Sequence, residues 1–286
     1  MDDPTLAFDS HRRRLQGIAY RMLGSRADAE DIVQEAYVRW HQTDADTVRS
    51  PEAWLVTTAT RLAIDRLRAL KVEREAYSGP WLPEPILAPE PPDREAELAS
   101  DLSVAFMVLL ERLAPEERAA FLLHDVFDCG YDEIARLLGK TEPASRQIVH
   151  RARGRVRNDQ SRFQVTEAAR VRLLKTFVAA METRDEQALM QLFAPDATWT
   201  ADGGGKTAAV GHPIEGVDAI LKLLLGLQRR FSRDGVTMHL GTVNGETGLL
   251  VRLGGRVGAA ISVAIDGGRI AHAYAIVNPD KLPATM

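Results

Sequence analysis

Six prolines fall between residues 80 and 92, at Pro80, Pro83, Pro85, Pro89, Pro91 and Pro92. Each fixes its own φ, lacks an N–H donor and biases the residue before it away from the helix. No helix or central strand runs through such a stretch, so the chain must fold as separate bodies joined by an extended, semi-stiff segment. Its 286 residues suit two or three such bodies. Within the run, Trp81-Leu82-Pro83-Glu84-Pro85-Ile86 is apolar for a segment that only spans solvent. Two readings stay open: a plain tether, or a strip carrying Trp81, Leu82 and Ile86 that docks on a surface groove.

The bodies before and after the prolines read as helical, over residues 1–75 and 98–162, with 76–97 as the linker. From Asp28 to Trp40, Ala29, Ile32, Val33, Ala36 and Trp40 recur at helical spacing as a core-facing stripe. Asp28, Asp31 and Glu35 form an acidic ridge on another face. Ser50-Pro51-Glu52 is a helix start, with a hydroxyl cap, proline in the first turn and an acid at the positive dipole end. That helix is expected to run to about Leu70, carrying Trp54, Arg61, Arg66 and Arg68. Pro115-Glu116-Glu117 starts another.

Two further helices complete the second body. Tyr131, Ile134, Ala135, Leu137 and Leu138 give the first an apolar face, and Gly139-Lys140-Thr141 forms the turn. In the second, Ala144, Ile148, Val149, Ala152 and Val156 make an apolar stripe, while Arg146, His150, Arg153 and Arg157 line the opposite side. Helix, glycine turn and a helix with a basic outer stripe is the layout of a DNA-binding helix-turn-helix. The bland alternative is a surface helix rich in solvated arginine.

From Val165 the pattern changes. Helices are expected at 167–182, 186–193 and 217–231, with a short strand at 197–200 after Pro195-Asp196. Strands at 236–243, 248–253, 257–265 and 270–277 are punctuated by Asn244-Gly245, Gly254-Gly255 and Gly267-Gly268. Residues 165–286 therefore read as an α+β domain, an antiparallel meander with helices on one face.

The net charge of −4 looks wrong for a DNA binder. It is uneven, however: between Lys140 and Arg162 seven Lys/Arg face only Glu142 and Asp159. The local field decides where a polyanion docks. Cys129, the only cysteine, excludes an internal disulfide and a cysteine metal cluster, and reads as a buried structural thiol. The N-terminal residues lack a signal-peptide pattern, and no apolar run spans a bilayer. A cytoplasmic protein without membrane contact, cofactor or metal is expected.

Asp28-Ala29-Glu30-Asp31-Ile32-Val33-Gln34-Glu35-Ala36 and Trp54-Leu55 through Ala63-Ile64-Asp65-Arg66-Leu67-Arg68 resemble region 2 of an extracytoplasmic-function (ECF) sigma factor. Leu113-Ala114-Pro115-Glu116-Glu117-Arg118 and Val149-His150-Arg151-Ala152-Arg153 resemble region 4, in the family's order and spacing. Such proteins are the dissociable promoter-reading subunits of bacterial RNA polymerase. The third body is similar to a SnoaL-like domain, a cone fold shared with nuclear transport factor 2. The subgroup that fuses the two has a linker motif resembling Trp81–Ile86. Its extension motifs resemble Asp202-Gly203-Gly204-Gly205-Lys206 and Asn278-Pro279-Asp280-Lys281-Leu282.

The resemblance implies two all-α sigma modules and a regulatory cone domain that is not an enzyme, with core RNA polymerase and promoter DNA as partners. Asp28, Asp31, Gln34 and Glu35 would meet the clamp helices of the largest polymerase subunit, and the flap is a further polymerase contact. Trp54, Arg61, Arg66 and Arg68 would serve the melted −10 element, where a flipped base needs a pocket and cationic support. Arg146 and Gln147 lie early on the recognition helix, placed for −35 base edges, while His150, Arg153 and Arg157 would meet phosphates. Trp81, Leu82, Ile86, Asp202–Lys206 and Asn278–Leu282 would carry an intramolecular contact between the C-terminal domain and the sigma modules or linker.

Cone-fold relatives include isomerases and cyclases with a pocket acid or base. Asp202, His212, Asp218, His239, His272 and Tyr274 are the candidates for that rival reading; regulation is the first reading of the domain, a ligand-sensing pocket the second and catalysis the third. Lys206 after three glycines lacks the spacing of a phosphate loop.

Overall fold

The computed structural model describes residues 4–44, 47–88, 103–160, 165–231 and 235–283. Helices α1 (Pro4–Leu23), α2 (Arg26–His41) and α3 (Pro51–Glu75) precede a two-residue strand β1 (Leu87–Ala88); α4 (Val104–Leu110), α5 (Pro115–Asp125), α6 (Tyr131–Leu138) and α7 (Glu142–Gln160) follow. Next come α8 (Glu167–Thr183), α9 (Glu186–Leu192), β2 (Phe193–Asp202), β3 (Ile214–Glu215) and α10 (Val217–Phe231). β4 (Thr237–Val243), β5 (Glu246–Leu253), β6 (Arg256–Asp266) and β7 (Arg269–Ile276) close the chain with a 3-10 turn at Pro279–Lys281. Among the described residues no helix is long and apolar enough to cross a membrane.

Residues 1–76 and 109–157 form one compact unit, and 77–108 with 158–286 form a second. This division cuts across the linker and second helical body read from sequence: residues 77–88 and the start of α4 belong with the C-terminal domain. Pro89, Pro91 and Pro92 lie outside the described residues.

In the first unit the caps act as the sequence implies. Ser25 Oγ accepts from the Asp28 N–H at 3.2 Å and Ser50 Oγ from the Ala53 N–H at 3.3 Å. Helix α3 extends past Leu70 to Glu75. Its last turn is held from afar: Arg74 pairs with Glu111 and donates to the Leu23 carbonyl at 2.8 Å. Arg118, 1% exposed, donates to the Arg21 carbonyl at 2.9 Å and to Glu111 at 2.5 Å. Two guanidinium groups thus satisfy carbonyls at the C-terminal end of α1, where the helix dipole favours cations. Burial lowers the Arg74 pKa, and Glu111 offsets part of that. Cys129 is a buried free thiol whose pKa burial pushes up.

In the second unit the sheet order is β1-β4-β5-β6-β7-β2-β3, with β2 parallel to β7 and every other pair antiparallel. The central strands are apolar on both faces, so both need cover. Phe193, Trp199, Leu249, Val263 and Ala273 meet Leu174, Phe177, Ile220 and Leu224 of α8 and α10. On the opposite face Leu250, Ala260, Ala264, Tyr274 and Ile276 are covered by Leu82, Val104 and Ala105. The expected strand at 197–200 is longer, at 193–202. Its register against β7 slips between Phe193 and Thr198, and that irregularity accommodates Pro195 inside the strand.

Candidate nucleic-acid interface and linker clasp

Helix α6 opens with Glu133 accepting from the Gly130 N–H at 3.2 Å and closes at Gly139, whose φ of +64° suits glycine. Thr141 Oγ1 then accepts from the Ala144 N–H at 3.4 Å as α7 begins. Ser145, Ile148, Val149, Ala152 and Val156 are buried, which turns Arg146, Gln147 and His150 to solvent. Arg146 reaches Glu142 at 2.5 Å and stands 5.1 Å from the centre of the Tyr131 ring. That ring and carboxylate hold the guanidinium at the entrance of the helix.

The rest of the basic stripe is less uniform than its spacing suggests. Arg153 forms a two-pronged pair with Asp125 of α5, with Nε distances of 2.9 and 2.7 Å, and this bond raises its pKa. Arg155 pairs with Glu117 at 2.6 Å. The Arg157 side chain lies outside the described residues.

Helix α2 presents the acidic ridge in three different states. Asp28 pairs with Arg66 at 2.7 Å. Glu35 pairs with Arg39 at 2.8 Å, and Gln34 bonds to Glu30 at 3.5 Å. Asp31 is exposed and carries no ion pair among the described residues. The four residues expected at the −10 element all lie on α3 and are engaged with different neighbours. Arg66 also reaches Glu73 at 2.7 Å, and Trp54 is half-buried against the buried Trp40, ring centres 5.4 Å apart. Arg61 donates to the Leu137 and Arg136 carbonyls at 3.1 and 3.3 Å, at the C-terminal end of α6. Arg68 pairs with Asp65 at 2.9 Å and Glu116 at 3.0 Å.

The linker strip and the two C-terminal motifs, by contrast, converge. Asp202, fully buried at the end of β2, accepts from the Tyr77 hydroxyl at 2.6 Å, the Leu82 N–H at 2.8 Å and the Gly204 N–H at 3.1 Å. Lys281 Nζ donates to Asp202 at 2.7 Å and to the Leu82 carbonyl at 2.5 Å, and sits 4.3 Å from the Trp81 ring centre. Asn278 donates to the Tyr77 oxygen at 2.9 Å. Burial and the Asp202 carboxylate push the Tyr77 pKa far up, so the phenol stays a donor. Gly204 has φ +60°, and a Cβ there would stand 2.3 Å from Asn278 Nδ2; the glycine run is what lets the tail approach. Lys206 pairs with Asp280 at 2.5 Å in solvent. Leu82 is 1% exposed, whereas Ile86 points outward and its backbone pairs with Asn244 at 2.8 Å in both directions. Pro279 and Leu282 border this clasp without a polar role.

Tyr77 and Asn244 were not among the expected residues. Asn244 was visible only as part of an Asn-Gly turn, and nothing in local periodicity marks Tyr77. Of the acid/base candidates, His212 and Asp218 are exposed, His239 bonds Arg252 at 3.2 Å, and His272 bonds Thr198 at 2.7 Å with its ring centre 6.3 Å from that of Tyr274. Between helices and sheet, apolar side chains surround a buried charged pair, Arg170 of α8 with Glu246 of β5 at 3.0 Å, and Arg170 also donates to the Val263 carbonyl at 2.8 Å.

Residues 7–72 match the family model for sigma-70 region 2, and residues 103–156 match sigma-70 region 4. The chain is 37% identical to the ECF RNA polymerase sigma factor SigJ of Mycobacterium tuberculosis, covering 96% of this chain and 91% of that one. It is 26% identical to the probable ECF sigma factor SigI of the same organism, over 98% and 95%. The crystal structure of Mycobacterium tuberculosis SigJ superposes with a TM-score of 0.77 at 34% identity, covering 97% of this chain and 98% of the other.

Proposed function

Because this chain belongs to the ECF RNA polymerase sigma factors, we propose that it brings core polymerase to promoters through α2 and α7, under the control of its own cone domain. The observation that carries the promoter reading is α7 itself. One face is buried from Ser145 to Val156, and the opposite face offers Arg146, Gln147 and His150 at the end that enters a major groove first. Arg146 pairs bidentately with guanine, and Gln147 pairs with adenine. In the resting chain Arg146 is shared with Glu142, an exposed pair worth only about 0.2–1 kcal/mol, so DNA takes it readily. Reconstituted transcription with core polymerase on a promoter library tests this. Arg146→Ala should cost about 1–3 kcal/mol and relax preference at one −35 position. Equal weakening of every promoter would mean that the helix docks otherwise.

Arg153 and Arg157 serve phosphates in the same reading, and Asp125 holds Arg153 in place. Arg153→Ala should weaken all promoters alike and lower the salt slope by about one unit.

The cone domain acts through the linker. With Tyr77–Leu82 clasped, the free length between regions 2 and 4 is shortened; released, that length becomes available to span two promoter elements. The motivating observation is the meeting of all three motifs on one buried carboxylate. Deletion from Asn278 onward removes the Lys281 and Asn278 contacts while sparing the sheet. Promoter activity should rise about fivefold or more, the scale of ordinary coupling between sites. Equal transcription from both proteins, across several promoters and salt concentrations, would leave ligand sensing as the better account of the domain.

A further inference from the structure

We propose that Tyr77, Trp81, Asp202 and the Leu82 carbonyl form a receptor for a primary alkylammonium group, filled in the resting chain by Lys281 and open to a free amine. The proposal rests on the clasp described above but adds a ligand class to it.

The four receptor groups supply what such a cation needs. Two oxygens accept its N–H bonds, Asp202 Oδ2 at 2.7 Å and the Leu82 carbonyl at 2.5 Å. Two π faces flank the charge, with ring centres 4.3 Å (Trp81) and 5.2 Å (Tyr77) from the nitrogen. Aromatic faces attract an ammonium through their quadrupole, most strongly when water is excluded. Only 13% of the Lys281 side chain and none of Asp202 is exposed.

The receptor is assembled from groups outside the tail. Asp202 is fixed by the Tyr77 hydroxyl and by the Leu82 and Gly204 N–H groups, none of which belongs to the tail. Leu82 is anchored in turn by its side chain, buried with Val243, Leu250 and Tyr274 on the sheet. When Lys281 leaves, a buried carboxylate remains facing two rings and a carbonyl, and such a site demands a cation. The remaining polar side-chain contacts from Asn278–Leu282 to the rest of the domain are fewer among the described residues: the Lys206–Asp280 pair is more than half exposed, and Asn278 donates once, to the Tyr77 oxygen. Displacing Lys281 by a free amine therefore frees the tail, while the incoming ammonium still bridges Asp202 and the Leu82 carbonyl and keeps the linker held.

The geometry also sets selectivity. Both oxygens require N–H donors, so a primary ammonium fits and a quaternary one does not. An n-butylammonium ion copies the lysine side chain beyond its Cα.

The test is amide hydrogen exchange on the full-length protein with n-butylammonium, tetramethylammonium or sodium chloride at matched ionic strength. A tethered lysine competes at millimolar effective concentration, so millimolar n-butylammonium or more should be needed. It should speed exchange at Asn278–Leu282 while Tyr77–Leu82 stay protected; the other two salts should do neither. In Lys281→Ala, without the tethered competitor, n-butylammonium should bind about tenfold more tightly or better and restore linker protection. No saturable response in Lys281→Ala, or an equal response to tetramethylammonium, overturns the proposal. If Lys281→Ala does not fold, the wild-type experiment decides, and unchanged tail exchange there overturns it. Increased transcription on tail deletion without any amine response removes this site and keeps the clasp. An amine response without a transcriptional effect keeps the site and removes the clasp's control of transcription.

Discussion

Asp202→Ala should detach the linker from the C-terminal sheet and cost about 3–5 kcal/mol, the scale for removing one partner of a buried ion pair. The side chain is fully buried and accepts from Tyr77, Leu82, Gly204 and Lys281 together. Alanine leaves a phenol and two N–H groups without their Asp202 acceptor and the ammonium with the Leu82 carbonyl but no counter-charge, and each unmade bond adds a desolvation penalty. Asp202→Asn keeps an acceptor but loses the charge, so its cost should be intermediate. Urea unfolding measures the loss, and proteolysis within Tyr77–Ala88 reports linker release. Lys281→Met in the Asp202→Ala background should add little, because the two residues act as one unit. A loss below 1 kcal/mol for Asp202→Ala would show that the linker is held by Leu82 and its apolar neighbours alone.

Charge reversal at Asp31 and Glu35 together should abolish co-purification with core polymerase while leaving the melting temperature within a few degrees. Asp31 is exposed and uncommitted among the described residues, and the Glu35–Arg39 pair is half exposed, so neither holds the fold. Opposed to a basic partner surface, each reversed charge costs several kcal/mol. Asp28 behaves differently. It is 18% exposed and paired with Arg66, so reversal there should lower stability before it affects any partner. Undiminished polymerase binding by the Asp31 and Glu35 double variant would defeat the assignment of this ridge.

The local elements were legible because their signals are local. Ser50-Pro51, Gly139 and Asn244-Gly245 each fix a cap or turn through a few neighbouring atoms, and α10 lies where its periodicity placed it. The end of α3 was misjudged because Arg74 is secured by Glu111 and Leu23, residues remote in sequence. Strands β1 and β3 have two residues each, too few to show a period. The basic stripe of α7 was visible as a face, but the capture of Arg153 by Asp125 depends on how α5 crosses it. Likewise the apolar strip at Trp81–Ile86 announced that it needed a surface. Its receiving carboxylate is 120 residues further on, beyond the reach of any spacing rule.

The docked linker also shields the sheet from other chains. Strand β1 pairs with Val243 and Thr242 at the rim of β4, and Leu82 covers Leu250, Ala260 and Tyr274 on the outer face. A released linker bares both an unpaired strand rim and an apolar face, the two features that draw proteins into edge-to-edge aggregation. Release is therefore tolerable only while it is brief or while another surface takes the linker's place. A permanently unclasped variant should accumulate as aggregates in proportion to its concentration, so selection for solubility alone would retain the clasp.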